Sequence, residues 1–380
     1  MRIDRPLRVL IFNWRDGAHP NAGGAEMYTH RIAAEWVKMG HSVTLFCSSV
    51  KGRAQYDVEN GLQIIRRGSK HSVYREAKRF YRIEGRGNFD VVIDEVNTRP
   101  FSAPRWVNDI PTIAIIHQVC REVWFYEYSW PVAVLGRFIL EPMWLRRYRS
   151  VPTITVSRSS AMSLKEYGLK NVTVVAEGMD ITQVTAASTN GKDSIFTCIF
   201  IGRLAANKRP HDAIKAFQLM LESVPYARMW VIGTGPLEQK LRDSSPPEVE
   251  FLGRVSESEK RQRLAEAHVL LVTSVREGWG LVVTEAAQCG TLTVGYNVPG
   301  LSDSIPASNG ILTDPSPDRL SEALVQVSTK FKDGRAPEVQ PNGVMLWRRV
   351  AIEILEVMSG IDTEYLDGEK GHVRSDGDKS

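Results

Sequence analysis

Glu277 and Glu285 stand in the stretch REGWGLVVTEAAQCG, Arg276 to Gly290, with seven residues between them that begin Gly278, Trp279, Gly280. Two carboxylates so placed can share one proton transfer, sit as solvated charges on a helix, or grip different parts of one ligand. LVVTEAAQCG reads as a helix ending at Gly290. If it begins near Gly280, Glu277 lies in the loop before it and Glu285 more than a turn inside, so the pair need not serve one proton. Its first amides, from Gly278 through Leu281, then form a positive helix end. An ionised carboxylate accepts bidentately, which suits Glu285 to a ribose diol and Glu277 to sugar hydroxyls. An arbitrary pair of glutamates at this spacing is ordinarily solvated.

Other residues supply matching chemistry. In GRLAANK, Arg203 and Lys208 follow an apolar run, where two fixed cations can clamp a diphosphate. In PNAGGAE, Gly23 and Gly24 fall between the first apolar run and the first helical pattern, where backbone N–H groups can approach an anion. The spacing there is neither GxGxxG nor the Walker pattern, and a plain tight turn explains it equally well. His117 closes the run IPTIAIIH, a position at which a lone histidine is more often structural. No DxD triplet of the metal-holding kind follows a strand. Asp94 and Glu95, in VVIDEV, read as a stray acidic pair, and no metal site is expected.

These residues need a scaffold that ends strands beside one another. LRVLIF is a continuous apolar run, as expected of a strand buried on both faces of a parallel sheet. AEMYTHRIAAEWVKMG follows with helical spacing and a stop at Gly40, and HSVTLFCSS, FDVVIDEV and IPTIAIIH read as further strands. The alternation restarts at SIFTCIFIGRL, followed by a loop and the helix HDAIKAFQLMLES; ARMWVIGTGP, EVEFLGRV, HVLLVTS and TLTVGY continue it. ITQVTAASTNGKDS reads as a linker, MLWRRVAIEILEVM as a terminal helix, and DGEKGHVRSDGDKS as a disordered tail. The expected division is residues 1–180, 181–360 and a tail 361–380, with the terminal helix returning to the first domain. Two α/β domains facing across a cleft would place a site beyond the carboxyl ends of their strands.

Composition narrows the class. With 380 residues, 43% hydrophobic and 24% charged, the chain is an ordinary globular protein of two domains. A net charge of +4 tolerates an anionic ligand but is too small to point to nucleic acid. Cys47, Cys120, Cys198 and Cys289 are scattered without a CxxC pair, which fits a reducing cytoplasm. WPVAVLGRFIL is broken by Arg137, so membrane contact, if any, is expected to be peripheral.

In this order GGAE, GRLAANK, VIGTGP, FLGRV, the Glu-seven-Glu of EGWGLVVTE, QCG and NVPGLSDSI resemble the retaining glycosyltransferases of family 4, over Leu7 to about Met358. The resemblance implies a GT-B fold: two Rossmann-like domains, the C-terminal one binding a nucleotide-diphosphate sugar and the N-terminal one the acceptor. It gives Arg203 and Lys208 to the diphosphate, assisted by Gly23, Gly24 and the amides of Gly278, Trp279, Gly280 and Leu281. Glu285 goes to the ribose, Glu277 to the transferred sugar, backbone near Arg254 and Val255 to the base, and His117 to the donor sugar. It implies no cofactor beyond the nucleotide sugar as substrate. Trp279 stands where members more often have Phe, and Val298-Pro299-Gly300 where many have a double-glycine turn.

The basic segment RRGSKHSVYREAKRFYRIEGRG places Val73, Ala77, Phe80 and Ile83 on one helical stripe with arginines and lysines around it, a pattern that suits an anionic membrane surface or a helix packed on the first domain. Acceptors consistent with this are a glycan, a small molecule or a lipid-linked hydroxyl. The expected location is cytoplasmic, peripheral at the inner membrane face. Three rivals share parts of the pattern. A glycoside hydrolase would leave Arg203 and Lys208 unexplained, a GT-B-like nucleotide-sugar epimerase would need no acceptor, and a non-catalytic membrane-associated subunit would have no need of all four charged residues.

Overall fold

The computed structural model describes residues 5–20, 22–179, 192–332, 337–339 and 345–372, with side chains up to residue 360. The chain divides into two compact units, one of residues 1–119, 138–178 and 345–380, the other of residues 120–137 and 179–344. Residues 120–137 thus go with the second unit although they precede the expected boundary at 180, and the terminal helix goes with the first. The expected linker lies outside the described residues except for Lys192–Ser194.

In the first unit, strands β1 (Arg8–Phe12), β2 (Ser42–Cys47), β3 (Tyr56–Glu59), β4 (Leu62–Arg66), β5 (Val91–Glu95), β6 (Thr112–Ile115), β7 (Thr153–Thr155) and β8 (Val172–Val174) form one sheet. The order is β3-β4-β2-β1-β5-β6-β7-β8, with β3 antiparallel to β4 and the other pairs parallel. Val9 to Phe12 and Val43 are fully buried, as central strands covered on both faces require. Helix α1 (Gly24–Lys38) turns Tyr28, Ile32, Ala33 and Trp36 inward. The C-terminal helix, Trp347–His372, packs on it, and the Trp36 indole donates to Ala351 O at 2.9 Å. That helix continues past residue 361 to His372, into the segment expected to be a tail; residues 373–380 lie outside the described ones.

Helix α2 (Val73–Phe80) buries Val73, Ala77 and Phe80, with Phe80 stacked on Phe46 at 5.0 Å between ring centres. Its apolar stripe is therefore core. Ile83, expected on the same stripe, sits in a π-turn (Tyr81–Gly85) that shifts the phase and leaves it 65% exposed.

The second unit's sheet is wholly parallel: β9 (Thr197–Ile201), β10 (Arg228–Ile232), β11 (Val249–Gly253), β12 (Val269–Val272), β13 (Leu292–Tyr296) and β14 (Ile311–Thr313), ordered β11-β10-β9-β12-β13-β14. Helices α3 (Pro210–Leu221), α4 (Glu257–Glu266), α5 (Leu281–Gln288), α6 (Leu301–Ala307) and α7 (Pro317–Lys332) follow strands in turn. Along β9, Cys198 and Phe200 face a core with Phe217, Met220 and Leu324, while Ile199 faces a second core with Leu264, Val283 and Leu301. Period-two alternation feeds both layers. This is the strand order of a Rossmann sheet, reversing between β9 and β12.

Candidate functional site

Where a doubly wound sheet reverses its order, the loops leaving the two central strands diverge and open a crevice at their carboxyl ends. In the second unit those loops begin at Gly202 and Thr273, and side chains stitch them together. Thr273 Oγ1 donates to the carbonyls of Lys208 and Arg209 at 3.0 and 2.8 Å, and the Val275 N–H donates to Asn207 O at 2.9 Å. The Lys208 ammonium donates to Glu277 Oε1, and the same oxygen accepts from Ser274 Oγ at 2.6 Å. Two of the sequence-predicted residues, 69 positions apart, therefore meet directly. Arg203 lies exposed just beyond β9 and enters no ion pair among the described residues. Close strand-end packing explains the glycines of VIGTGP, since a Cβ on Gly233 (φ +131°) would overlap Gly202 O.

The turn holding Glu277 is rigidly specified. Its N–H donates to Pro299 O at 3.0 Å, and Gly300 (φ +85°) lies so close that a Cβ there would overlap Glu277 O. Gly280 (φ +95°) opens α5, and no side chain caps that first turn. Trp279 is 7% exposed, and its indole N–H donates to Thr284 Oγ1 at 3.0 Å. Its side chain fastens the turn to α5.

Glu285 has a different partner. Lys260 on α4 donates to Glu285 Oε1 at 3.0 Å and lies 2.9 Å from Glu257. Burial works against the Lys260 charge, but Glu285 and Glu257 outweigh it and hold the ammonium above its ordinary value. The two glutamates of the motif are thus held by separate lysines on separate elements. Arg254 is exposed beyond β11, with Val255 half-buried beside it.

In the first unit the order reverses between β1 and β5. Gly23 and Gly24 are exposed at the start of α1, but the Gly23 N–H already donates to Glu26 Oε2 at 2.7 Å. A carboxylate of the chain's own occupies the amide that the sequence offered to a ligand anion, which is how a glutamate at the third helical position caps a helix. Arg15 Nε, at 2.9 Å, and Asn97 Nδ2, at 3.3 Å, donate to the other Glu26 oxygen.

His117 is 7% exposed, with Nε2 3.4 Å from Glu95 Oε1, Nδ1 3.9 Å from Glu177 Oε1, and the Tyr28 ring edge-on at 4.9 Å. Burial opposes its protonation, but Glu95, backed by Glu177 and Glu26, raises the imidazole above its usual value. Glu95 also accepts from Thr29 Oγ1. Asp94 accepts from the N–H of Phe101 (3.2 Å) and of Ala103 (2.8 Å) and from Tyr148 Oη (2.5 Å), and burial pushes it up to about 6. Neither acid of VVIDEV is stray. A carboxylate inside a continuous apolar strand is itself a signal of a buried, partnered role. Thr273, Ser274 and Lys260 carried no such signal, because their partners come from distant elements.

No group of three or more metal-ligating side chains occurs among the described residues. No helix among the described residues is long and apolar enough to cross a membrane. Surface apolar side chains do accumulate: Trp130 is 72% exposed, with Phe125, Tyr126, Tyr128, Val132 and Leu135 exposed around it in the chain, and Phe138, Ile139 and Met143 exposed after them.

Comparison with known proteins agrees with this architecture. Residues 22–183 match the model described as Glycosyltransferase Family 4, and residues 195–330 match Glycosyl transferases group 1. The chain belongs to the family 4, group 1 glycosyltransferases, with the GT-B fold of two Rossmann-like domains. It is 29% identical over 175 residues to one of the subunits of phosphatidylinositol N-acetylglucosaminyltransferase in Arabidopsis thaliana, a match covering 45% of this chain and 38% of that protein. It is 24% identical over 338 residues to glycogen synthase of Mycobacterium tuberculosis, covering 79% and 80%. Sucrose-phosphate synthase of Thermosynechococcus elongatus superimposes with a TM-score of 0.72 at 15% identity, over 94% of this chain and all of that one.

Proposed function

We propose that this protein is a retaining glycosyltransferase that moves a sugar from a nucleotide-diphosphate sugar to a hydroxyl acceptor, without needing a metal ion. The observation that carries the reading is the meeting of Lys208 and Glu277, held by Ser274 and Thr273, at the reversal point of the second unit's sheet. A diphosphate draws the Lys208 ammonium with Arg203, and the released Glu277 accepts from the sugar hydroxyls. Glu285 accepts from the ribose diol, the base lies against backbone at Arg254 and Val255, and the amides from Gly278 to Leu281 add donors. Gly24 is given an assisting role by family resemblance; the Gly23 N–H is engaged by Glu26.

As the glycosidic bond to the diphosphate breaks, negative charge grows on the leaving oxygen, and fixed cations and amides stabilise it without reorganising. The acceptor hydroxyl attacks on the same face, and its proton passes to the departing phosphate oxygen. No protein nucleophile is assigned. His117 is given the donor sugar by family resemblance; its two nitrogens facing Glu95 and Glu177 support a cationic imidazole that shapes the strand ends around it.

The acceptor is open among glycan, small molecule and lipid-linked alcohol. The two sequence relatives named above differ in what their names print, phosphatidylinositol in one and glycogen in the other. The exposed apolar residues around Trp130 and the basic face of α2 support a peripheral membrane location on the cytoplasmic side. The test is a panel of UDP-, GDP- and other nucleotide sugars scored by thermal shift, followed by product analysis with and without acceptor. Stabilisation by one donor and an acceptor-dependent product of unchanged anomeric configuration is expected. Conversion of the donor with no acceptor present would replace this reading with epimerisation, and an inverted product would end the retaining assignment.

A further inference from the structure

The first unit holds a cavity of 650 Å³ lined by Arg53, Arg66, Arg67 and Arg79, with Phe80 and Ile83 at its apolar side. Its walls come from the segment after β2, the end of β4, helix α2 and the turn that follows. Because β2 and β4 run parallel to β1, the cavity opens at the same carboxyl edge of the sheet as the β1/β5 reversal point.

The charges in it do not cancel. Arg66 is committed to Asp16 at 2.6 Å and Asp57 at 2.9 Å, and Arg67 to Glu84, whose carboxyl it holds below the ordinary value. The remaining acid of the lining, Glu76, is faced by Arg75 at 3.7 Å. Arg53 and Arg79 are exposed and enter no ion pair among the described residues. Arg67 Nε is a buried donor without a hydrogen-bond partner among those residues. Two guanidinium groups outside any ion pair among the described residues, acting on Asp57 and Glu84 only at a distance, and one unanswered N–H around a single cavity call for an anionic, multi-oxygen acceptor of hydrogen bonds. Phe80 and the 65% exposed Ile83 add an apolar flank for whatever carries that anion.

We infer that this cavity binds a phosphate or diphosphate group belonging to the acceptor, either on a soluble molecule or as a lipid headgroup. The inference rests on the transferase reading for the word acceptor, and on the cavity alone for the phosphate. Oxygens of the anion bridge Arg53 and Arg79, with Arg67 Nε as a third donor.

The experiment uses the full chain carrying Arg203→Ala and Lys208→Ala, so that the second unit cannot report. Inorganic pyrophosphate is titrated calorimetrically, and vesicles of phosphatidylglycerol with phosphatidylcholine are compared with phosphatidylcholine alone. Two double variants are added on that background: Arg53→Ala/Arg79→Ala, and Lys78→Ala/Arg82→Ala, which removes equal charge from exposed positions outside the lining. The expected result is a loss of about tenfold or more in the first pair and less than about twofold in the second. Loss of pyrophosphate binding identifies a soluble diphosphate chemistry; a pyrophosphate-silent chain whose vesicle binding falls selectively in the first pair identifies a headgroup. Equal weakening by both pairs, or no binding of either probe, overturns the inference. Since no sugar transfer is read, these outcomes stand apart from failure of the transferase reading, which the donor panel detects.

Discussion

The Lys208 ammonium and the Glu277 carboxylate neutralise each other at the carboxyl ends of β9 and β12, with Ser274 Oγ bound to the same carboxylate oxygen. Without a ligand, each charge is stored on the other. In the proposed function a sugar diphosphate offers both of them a better partner at once, phosphate for the lysine and hydroxyls for the glutamate. Lys208→Ala and Glu277→Gln should each lower kcat/KM by on the order of 10²-fold or more, as removal of a preorganised charge-stabilising group does. Because each substitution also strands the other's partner, the double variant should lose less than the product of the two. Steady-state kinetics on the four proteins decides it, and strict additivity would count against a shared role.

Glu285 is held by Lys260 and not by Lys208, so its replacement should have a separate signature. Glu285→Gln should weaken nucleoside diphosphate binding about tenfold, the value of one charge-assisted hydrogen bond. A 2′,3′-dideoxy nucleoside diphosphate, which lacks both hydroxyls of the diol, should bind the variant and the parent almost equally. Calorimetry with the two nucleotides tests this, and an equal tenfold loss for both would remove Glu285 from the ribose.

Gly300 gives the Glu277 turn its shape. Gly300→Ala introduces a Cβ at φ +85° against Glu277 O. A cost of ~1–3 kcal/mol is expected for forcing that backbone conformation, together with a fall in kcat. Denaturant unfolding and kinetics on the same preparation check the pair of effects; an active variant of parental stability would mean the turn can rearrange.

His268 supplies a pH dependence of stability. Its Nδ1 accepts the Thr197 N–H at 3.1 Å, which requires the unprotonated form, and burial, aided by the nearby Lys192, lowers it to about 4. The stabilisation is full above the unfolded value near 6.5 and is lost as pH falls toward 4, because the unfolded chain gains a proton that the folded one refuses. The loss should approach about 3 kcal/mol. Thermal melts of the parent and of His268→Gln between pH 7 and pH 4 should converge as pH falls.

Trp130, 72% exposed, is the most exposed of the apolar side chains between Trp124 and Met143. Trp130→Ser should weaken binding to anionic vesicles several-fold while leaving donor binding unchanged. Sedimentation with vesicles at low and high salt measures it; full retention by the variant would take this residue out of any membrane contact.

The continuous apolar runs LRVLIF, FDVVIDEV, SIFTCIFIGRL and HVLLVTS named central strands of both sheets, because a strand covered on both faces must be apolar throughout. Short edge strands such as Tyr56–Glu59 and Val172–Val174 were not readable, since they are only four and three residues long and Tyr56, Val58 and Val174 are exposed, so no buried apolar run marks them. The motif letters likewise identified Arg203, Lys208, Glu277 and Glu285, and the glycines around them, as candidates for a sugar diphosphate.

What the sequence alone determined was which residues could do chemistry and that each would follow a strand. Which of them meet was decided by the tertiary structure: Lys208 with Glu277, Lys260 with Glu285, Glu26 with the Gly23 amide, and His117 between Glu95 and Glu177. Trp279 went inward and Ile83 outward for the same reason. Local pattern fixes a residue's secondary structure through its neighbours in the chain, whereas a side chain's partner depends on strand order and loop reach, which bring together groups that share no sequence window.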